Sequence, residues 1–306
     1  MIQVIQVGIF LMLLTQLDKL ARHNRQGSYR TWERYYEAFK RFCAFLADTF
    51  RLQKLANISK KHIVSYVLYL QLTGKSASTV KTDLSAIRFF HDLIPAPKYQ
   101  LPCNDELGVE LQRRSFGQAD RTWSATEFER MTALALEEGR DDYVLAANLA
   151  RYAGLRIHEC FRIDTAIAER AIREGAITIK GKGGKVRTVS IGEDIVSLLR
   201  EWLVRTARGH KLLVSDDVPT DRAINRFQQW LLAHRAEIQD VNDNRPLTFH
   251  GLRHTYAAEK YKALTAGGAS ALDAHFAVSR LLGHERADVT DIYLASVKKK
   301  GSADGK

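Results

Sequence analysis

The sequence predicts a mainly α fold with one small antiparallel sheet, split into a helical first part and a mixed α+β second part. Three observations carry this. Apolar residues recur at three- and four-residue steps over most of the chain; strand-like alternation is clear only around the turn GKGGK; and Pro95, Pro97 and Pro102 cluster between the two regimes. With 306 residues, 45% of them hydrophobic, the chain can bury two separate cores.

The elements follow in order. The opening run MIQVIQVGIFLMLL is apolar, but shorter than the roughly twenty residues a membrane-spanning helix needs. It lacks the basic flank and small-residue cleavage site of a secretory signal. Either it packs on the protein or it precedes the start of the folded chain. The second is preferred, so residues 1–27 are expected to be a tail. From residue 28 the stripe Trp32, Tyr35, Tyr36, Phe39, Phe42, Cys43 and Leu46 defines a first helix. A second is expected from Ser59, with Ile63, Val67 and Leu70 inward, and a third after TGKSAST, with Val80, Leu84, Ile87 and Phe90 inward. Arg30, Arg34, Arg41, Lys75, Lys81 and Arg88 lie off these stripes, giving residues 28–111 the look of a bundle with basic outer faces. Any one of those charges, taken singly, reads as a solvated surface group.

Residues 112–121 are expected to be a linker. The second domain, 122–295, opens on a capping box, Ser124 with Glu127. A helix over 141–153 stops at Gly154, a residue suited to the left-handed cap. EGAITIKGKGGKVRTVSIG reads as a hairpin, with Ile177 and Ile179 on one face and Val189 and Ile191 together on the return strand. Helices return over 221–238, 252–264 and 272–282, and residues 296–306 form a polar tail.

The formal net charge of +11, with a basic surplus in both parts, points to a polyanionic partner, nucleic acid being the commonest. Cys43, Cys103 and Cys160 are odd in number and form no C-x-x-C pair. That speaks against a disulfide framework or a zinc ribbon and for a reducing compartment.

LTFHGLRHTYAAEKY poses the chemical question. His250 and His254 stand four apart, as paired zinc ligands on a helix do, but Gly251 occupies the position where a zincin carries glutamate. No third ligand is near, and Arg253 would repel a metal, so no metal site is expected. His254 fits a buried structural histidine. His250 and Arg253, at the first turn of a helix, fit an anion grip. Other candidates lie apart in sequence. Arg156 follows a helix stop, with Glu159 three residues on to orient it; Lys182 sits at the hairpin tip; His284 is followed nine residues later by Tyr293. Each also has an ordinary reading as a surface or packing residue.

Taken together, GLRIHE, IKGKGGKVRTVSI, HGLRHT and LLGH followed by a tyrosine resemble the motifs of the tyrosine recombinase (phage integrase) family, over roughly residues 28–295 and most strongly after Arg151. The resemblance implies a helical, SAM-like core-binding domain joined to an α+β catalytic domain. It implies an active site of Arg156, Lys182, His250, Arg253 and His284 with Tyr293 as nucleophile. Lys185 is disfavoured against Lys182, and Tyr256 and Tyr261 against Tyr293. It further implies site-specific cutting and rejoining of double-stranded DNA through a 3′-phosphotyrosine, without metal, ATP or other cofactor. Type IB topoisomerase-like relaxation and a catalytically silent DNA-binding protein are the alternatives. Lys75, Lys81 and Arg88 are candidate DNA contacts. The expected partners are target sites in DNA, three further copies in a homo-tetramer and accessory DNA-bending proteins, with no membrane. The expected location is the cytoplasm, on the nucleoid. Only thirteen residues follow Tyr293, and their end, KKKGSADGK, is poorly suited to apolar docking, so the family's exchange of a C-terminal helix between neighbours is not expected here.

Overall fold

Helices with one apolar face dominate both parts of the chain. The computed structural model describes residues 2–22, 29–113, 120–181, 184, 186–241, 243, 245–283 and 287–297. It divides into two units, Met1–Arg114 and Ser115–Lys306.

The first unit contains α1 (Ile2–Arg22), α2 (Tyr29–Phe45), α3 (Lys60–Leu72) and α4 (Ala77–His91), with a π turn at Leu46–Phe50 and a 3₁₀ turn at Leu55–Asn57. Its core is aromatic: the Phe39 and Phe90 ring centroids are 5.2 Å apart, and those of Phe42 and Tyr66 are 4.9 Å apart. One carboxylate is buried among them. Asp83 accepts from Tyr66 Oη at 3.0 Å and from Arg41 at 2.9 Å, so α2, α3 and α4 are tied through a single satisfied charge.

The expectation that residues 1–27 form a tail is corrected by α1. Ile9, Leu13, Leu17 and Ala21 recur at four-residue steps and are buried in the bundle core. Each of the three larger side chains contributes about 2 kcal/mol by leaving water. Polar contacts reinforce the seat: Gln16 donates to Gln53 O at 2.7 Å and accepts from Leu55 N at 2.9 Å. The opening run looked uniformly apolar, but its true period continues past Leu14 into TQLDKLA, and that period marks a packed amphipathic helix.

The second unit runs α5 (Ala125–Glu137), α6 (Asp141–Ala153), α7 (Ile157–Cys160), α8 (Thr165–Glu174), β1 (Ala176–Lys180), β2 (Val186–Ser190), α9 (Glu193–Arg205), α10 (Thr220–Ala233), α11 (Arg235–Ile238), α12 (Phe249–Ala266), α13 (Ala271–Leu282) and α14 (Ala287–Tyr293). Ser124 and Glu127 cap α5 reciprocally, at 2.8 and 3.1 Å. The antiparallel pair sets Ile177 against Val189 and Ile179 against Arg187. The single helix expected over 221–238 is interrupted at His234, which faces Glu138 and Glu237 at 3.3 and 3.1 Å.

Helix α12 forms the centre of this unit, with Gly251–Ala258 buried without interruption. Two glycines permit its close packing. A Cβ on Gly251 would fall 2.4 Å from Arg121 O and 2.7 Å from the Trp123 indole nitrogen. Gly154 ends α6 with φ +62° beneath the Tyr256 ring, where a Cβ would fall 2.5 Å from Cδ1.

Candidate active site

Arg156 is the N-cap of α7 and sits two residues past the glycine stop of α6. Glu159, one turn on, accepts from the Arg156 backbone N–H at 2.7 Å and from its guanidinium at 2.9 Å. Its side chain is only 1% exposed. A second guanidinium completes its shell: Arg187 of β2 donates to Glu159 at 2.7 and 3.2 Å. Burial alone would raise the Glu159 pKa, but Arg187, the Arg156 N–H and the Arg156 guanidinium together bring it below the ordinary value.

Arg253 occupies the fifth position of α12, deeper than the first turn expected for it, and has no exposed surface. It donates to Gly154 O and, at 2.5 Å, to Leu282 O. Arg187 reaches the same two carbonyls at 3.4 and 3.3 Å. These oxygens lie where α6 and α13 end, and the negative ends of two helices thus hold two cations. Arg253 Nε is buried without a hydrogen-bond partner among the described residues. Burial first, and Arg156 next, lower the Arg253 pKa to about 10, which leaves it charged at neutral pH.

His250, the second residue of α12, places Nε2 2.9 Å from Tyr293 Oη. Tyr293 ends α14 and is 6% exposed. The His250 pKa falls to about 4, through desolvation first and then through Arg253, Arg121 and Arg156. The residue is exposed to solvent, which screens those charges and tempers the shift without reversing it; a neutral imidazole at pH 7 is the consequence that matters. His254, expected to be a core histidine, is indeed buried, but against Tyr293: the two rings stack at 4.4 Å with planes 23° apart.

The structure therefore brings Arg156, His250, Arg253 and Tyr293 together. Lys182, Lys185 and His284 lie outside the described residues. Tyr256 is 3% exposed and packed on Gly154, with burial raising its pKa despite Arg253 and Arg187, so its surroundings oppose a phenolate. Of the surface candidates, Lys75 is exposed and Lys81 half-buried, while Arg88 donates Nε to Pro102 O at 3.1 Å and is partly committed within its own unit. Among the described residues no cluster of His, Cys, Asp or Glu could hold a metal, all three cysteines are free, and no helix is long and apolar enough to cross a membrane.

Arg187 was missed by sequence reasoning, although a signal existed. Alternation along β2 puts it on the face of Val189, opposite buried Ile179. A cation on the inner face of a strand requires a buried partner.

A phenol facing a neutral histidine, beside guanidiniums anchored on helix ends, is equipped to pass a phosphoryl group through a tyrosine. The chain belongs to the phage integrase family, the tyrosine recombinases of site-specific DNA recombination: residues 124–300 match the model of that family, and residues 13–100 match that of the phage integrase N-terminal SAM-like domain. Tyrosine recombinase XerD of Halalkalibacterium halodurans is 25% identical over 297 residues, covering 94% of this chain and 94% of its own length. Tyrosine recombinase XerC of Natranaerobius thermophilus is 24% identical over 279 residues, covering 87% and 88%. In fold, a lambda integrase dimer bound to a COC′ core site matches with TM-score 0.65 and 18% identity, covering 92% of this chain and 94% of that one. XerH recombinase bound to its difH substrate matches at 0.57 and 19%, covering 96% and 85%.

Proposed function

We propose that this chain cuts and rejoins duplex DNA at specific sites through a 3′-phosphotyrosine on Tyr293. The observation that carries the reading is the 2.9 Å approach of Tyr293 Oη to His250 Nε2, beside the buried Arg253. A free tyrosine has a pKa of about 10, so attack needs a base and nearby positive charge. His250, neutral at pH 7, accepts the phenolic proton through Nε2. The phenolate oxygen attacks phosphorus and the 5′ oxygen departs, taking a proton from Lys182. Arg156 and Arg253 hold the non-bridging oxygens as charge builds on them, with His284 as a further donor. Each fixed guanidinium is worth on the order of 3 kcal/mol of barrier. The phosphotyrosine stores the energy of the broken bond, so rejoining is the same step reversed with a new 5′-hydroxyl, and no cofactor is consumed.

Arg253 has no exposed surface in the free protein, so a phosphate reaches it only after a local opening beside Tyr293. Exchange between two duplexes breaks four strands, one tyrosine to each. The working assembly is therefore a homo-tetramer across two sites, with accessory DNA-bending proteins as further partners. Lys75 and Lys81 contact the DNA backbone in the first unit, and the enzyme acts where the chromosome lies, in the cytoplasm on the nucleoid.

The test is incubation with DNA flanking the gene, followed by denaturing gels. An SDS-stable protein–DNA adduct at one position is expected from the wild type and none from Tyr293→Phe. An adduct retained by Tyr293→Phe removes Tyr293 as the nucleophile.

A further inference from the structure

His254 does more than fill the core. It is 1% exposed, and its ring lies face to face with the Tyr293 phenol, centroids 4.4 Å apart and planes at 23°. His250 closes the group edge-on, 5.2 Å and 79° from His254 and 5.3 Å and 65° from Tyr293. The i, i+4 spacing that imitates a zinc pair puts both imidazoles on one face of α12. One ring meets the phenol's plane and the other meets its hydroxyl. Tyr293 stands at the end of α14, a helix of seven residues, too short to hold a side chain rigidly by its own hydrogen bonds. The long, buried α12 supplies the rigidity instead.

We propose that His254 is a positioning residue for the nucleophile: its imidazole, stacked on Tyr293, sets the plane of the phenol so that Oη meets His250 Nε2. His254 touches neither the phosphate nor the leaving oxygen and acts only through Tyr293. The proposal rests on Tyr293 being the nucleophile, and the experiments separate the two.

The probe is a nicked duplex carrying the cleavage site mapped from the adduct. His254→Ala is expected to slow adduct formation by about tenfold or more, since displacements of ~1 Å at a reacting group cost up to ~100-fold, with DNA affinity unchanged. His254→Phe restores a flat ring and recovers most of the loss. The decisive arm removes the tyrosine. In a Tyr293→Phe background, hydrogen peroxide supplies the attacking oxygen, which bonds to phosphorus as the 5′ oxygen leaves with a proton. Adding His254→Ala to that background leaves peroxide-dependent cleavage as it was. Should peroxide cleavage fall in parallel with adduct formation, His254 supports the phosphate site and the proposal is overturned. It is equally overturned by an alanine variant that forms adduct at the wild-type rate. A DNA-free measurement stands beside these: with ring-labelled tyrosine, the NMR signal that Tyr293→Phe deletes shifts on His254→Ala. No shift means no stack. Failure of the wild type to form any adduct would refute the nucleophile assignment, while the ring shift would still decide the contact.

Discussion

Replacing Glu159 with glutamine tests whether the arginines of the site depend on one buried charge. The carboxylate takes hydrogen bonds from Arg156 N, the Arg156 guanidinium and Arg187 at 2.7, 2.9 and 2.7 Å, with its side chain 1% exposed. Removing one partner of a buried pair costs roughly 3–5 kcal/mol, because the other charge is left uncompensated. Glutamine keeps the shape and one acceptor, so the lower end, about 3 kcal/mol, applies here. In urea, with a slope of about 2–3 kcal/mol/M, the transition of the second unit should move down by about 1 M. Tryptophan fluorescence reports mainly that unit, since Trp123, Trp202 and Trp230 lie in it and only Trp32 in the other. The sign with pH is fixed. A carboxyl held below its usual 4.5 contributes stability that is complete above that value and lost as pH falls through the folded-state pKa. The gap between wild type and Glu159→Gln therefore narrows in acid. Pairing the change with Arg187→Met should give less than the sum of the single losses. A midpoint shift under about 0.3 M at pH 7, well below the scale of a buried pair, would refute the reasoning.

Three further outcomes are expected. Gly154→Ala forces a Cβ into the left-handed region and into the Tyr256 ring, costing about 2–4 kcal/mol in all; a thermal melt unchanged from wild type would contradict the packing. NMR titration of His250 in the free protein should give a midpoint below the ordinary 6.5; because folding favours the neutral ring, its stabilising contribution is complete above 6.5 and is lost as pH falls through that lowered midpoint, and a midpoint at or above 6.5 would contradict the burial and the arginine charges that lower it. Lys75→Glu and Lys81→Glu should each lower the slope of log affinity against log salt by about 1, read by fluorescence anisotropy on labelled duplex; an unchanged slope excludes that lysine from the backbone contact.

Much of this was legible in the sequence where local rules act alone. The capping box at Ser124, the stop at Gly154 and the hairpin around Ile177 and Val189 obey short-range chemistry, and their elements stand where expected. Arg156 and Glu159 were paired by a spacing of three on one turn, and the structure sets them 2.9 Å apart. What escaped depended on tertiary neighbours. Residues 1–27 read as a tail because the apolar run to Leu14 hides the four-residue period, and only the tertiary fold shows the groove that receives Ile9, Leu13 and Leu17. Arg187 sits in a strand read only for its aliphatic face, and its carboxylate partner lies 28 residues away. The partner of His254 is more distant still, on α14, and no period within one helix announces a stack with Tyr293. Arg253 is expected at the first turn of a helix, whereas α12 begins early enough to carry it past that turn, where it is buried.

The nucleophile is identified most directly by locating the DNA on the protein. The trapped adduct is digested with protease and nuclease and the modified peptide sequenced by mass spectrometry. A 3′-phosphonucleotide is expected on Tyr293 and on no other tyrosine. A nucleotide on Tyr256 or Tyr261, or strand cleavage that leaves no nucleotide on the protein, would contradict it.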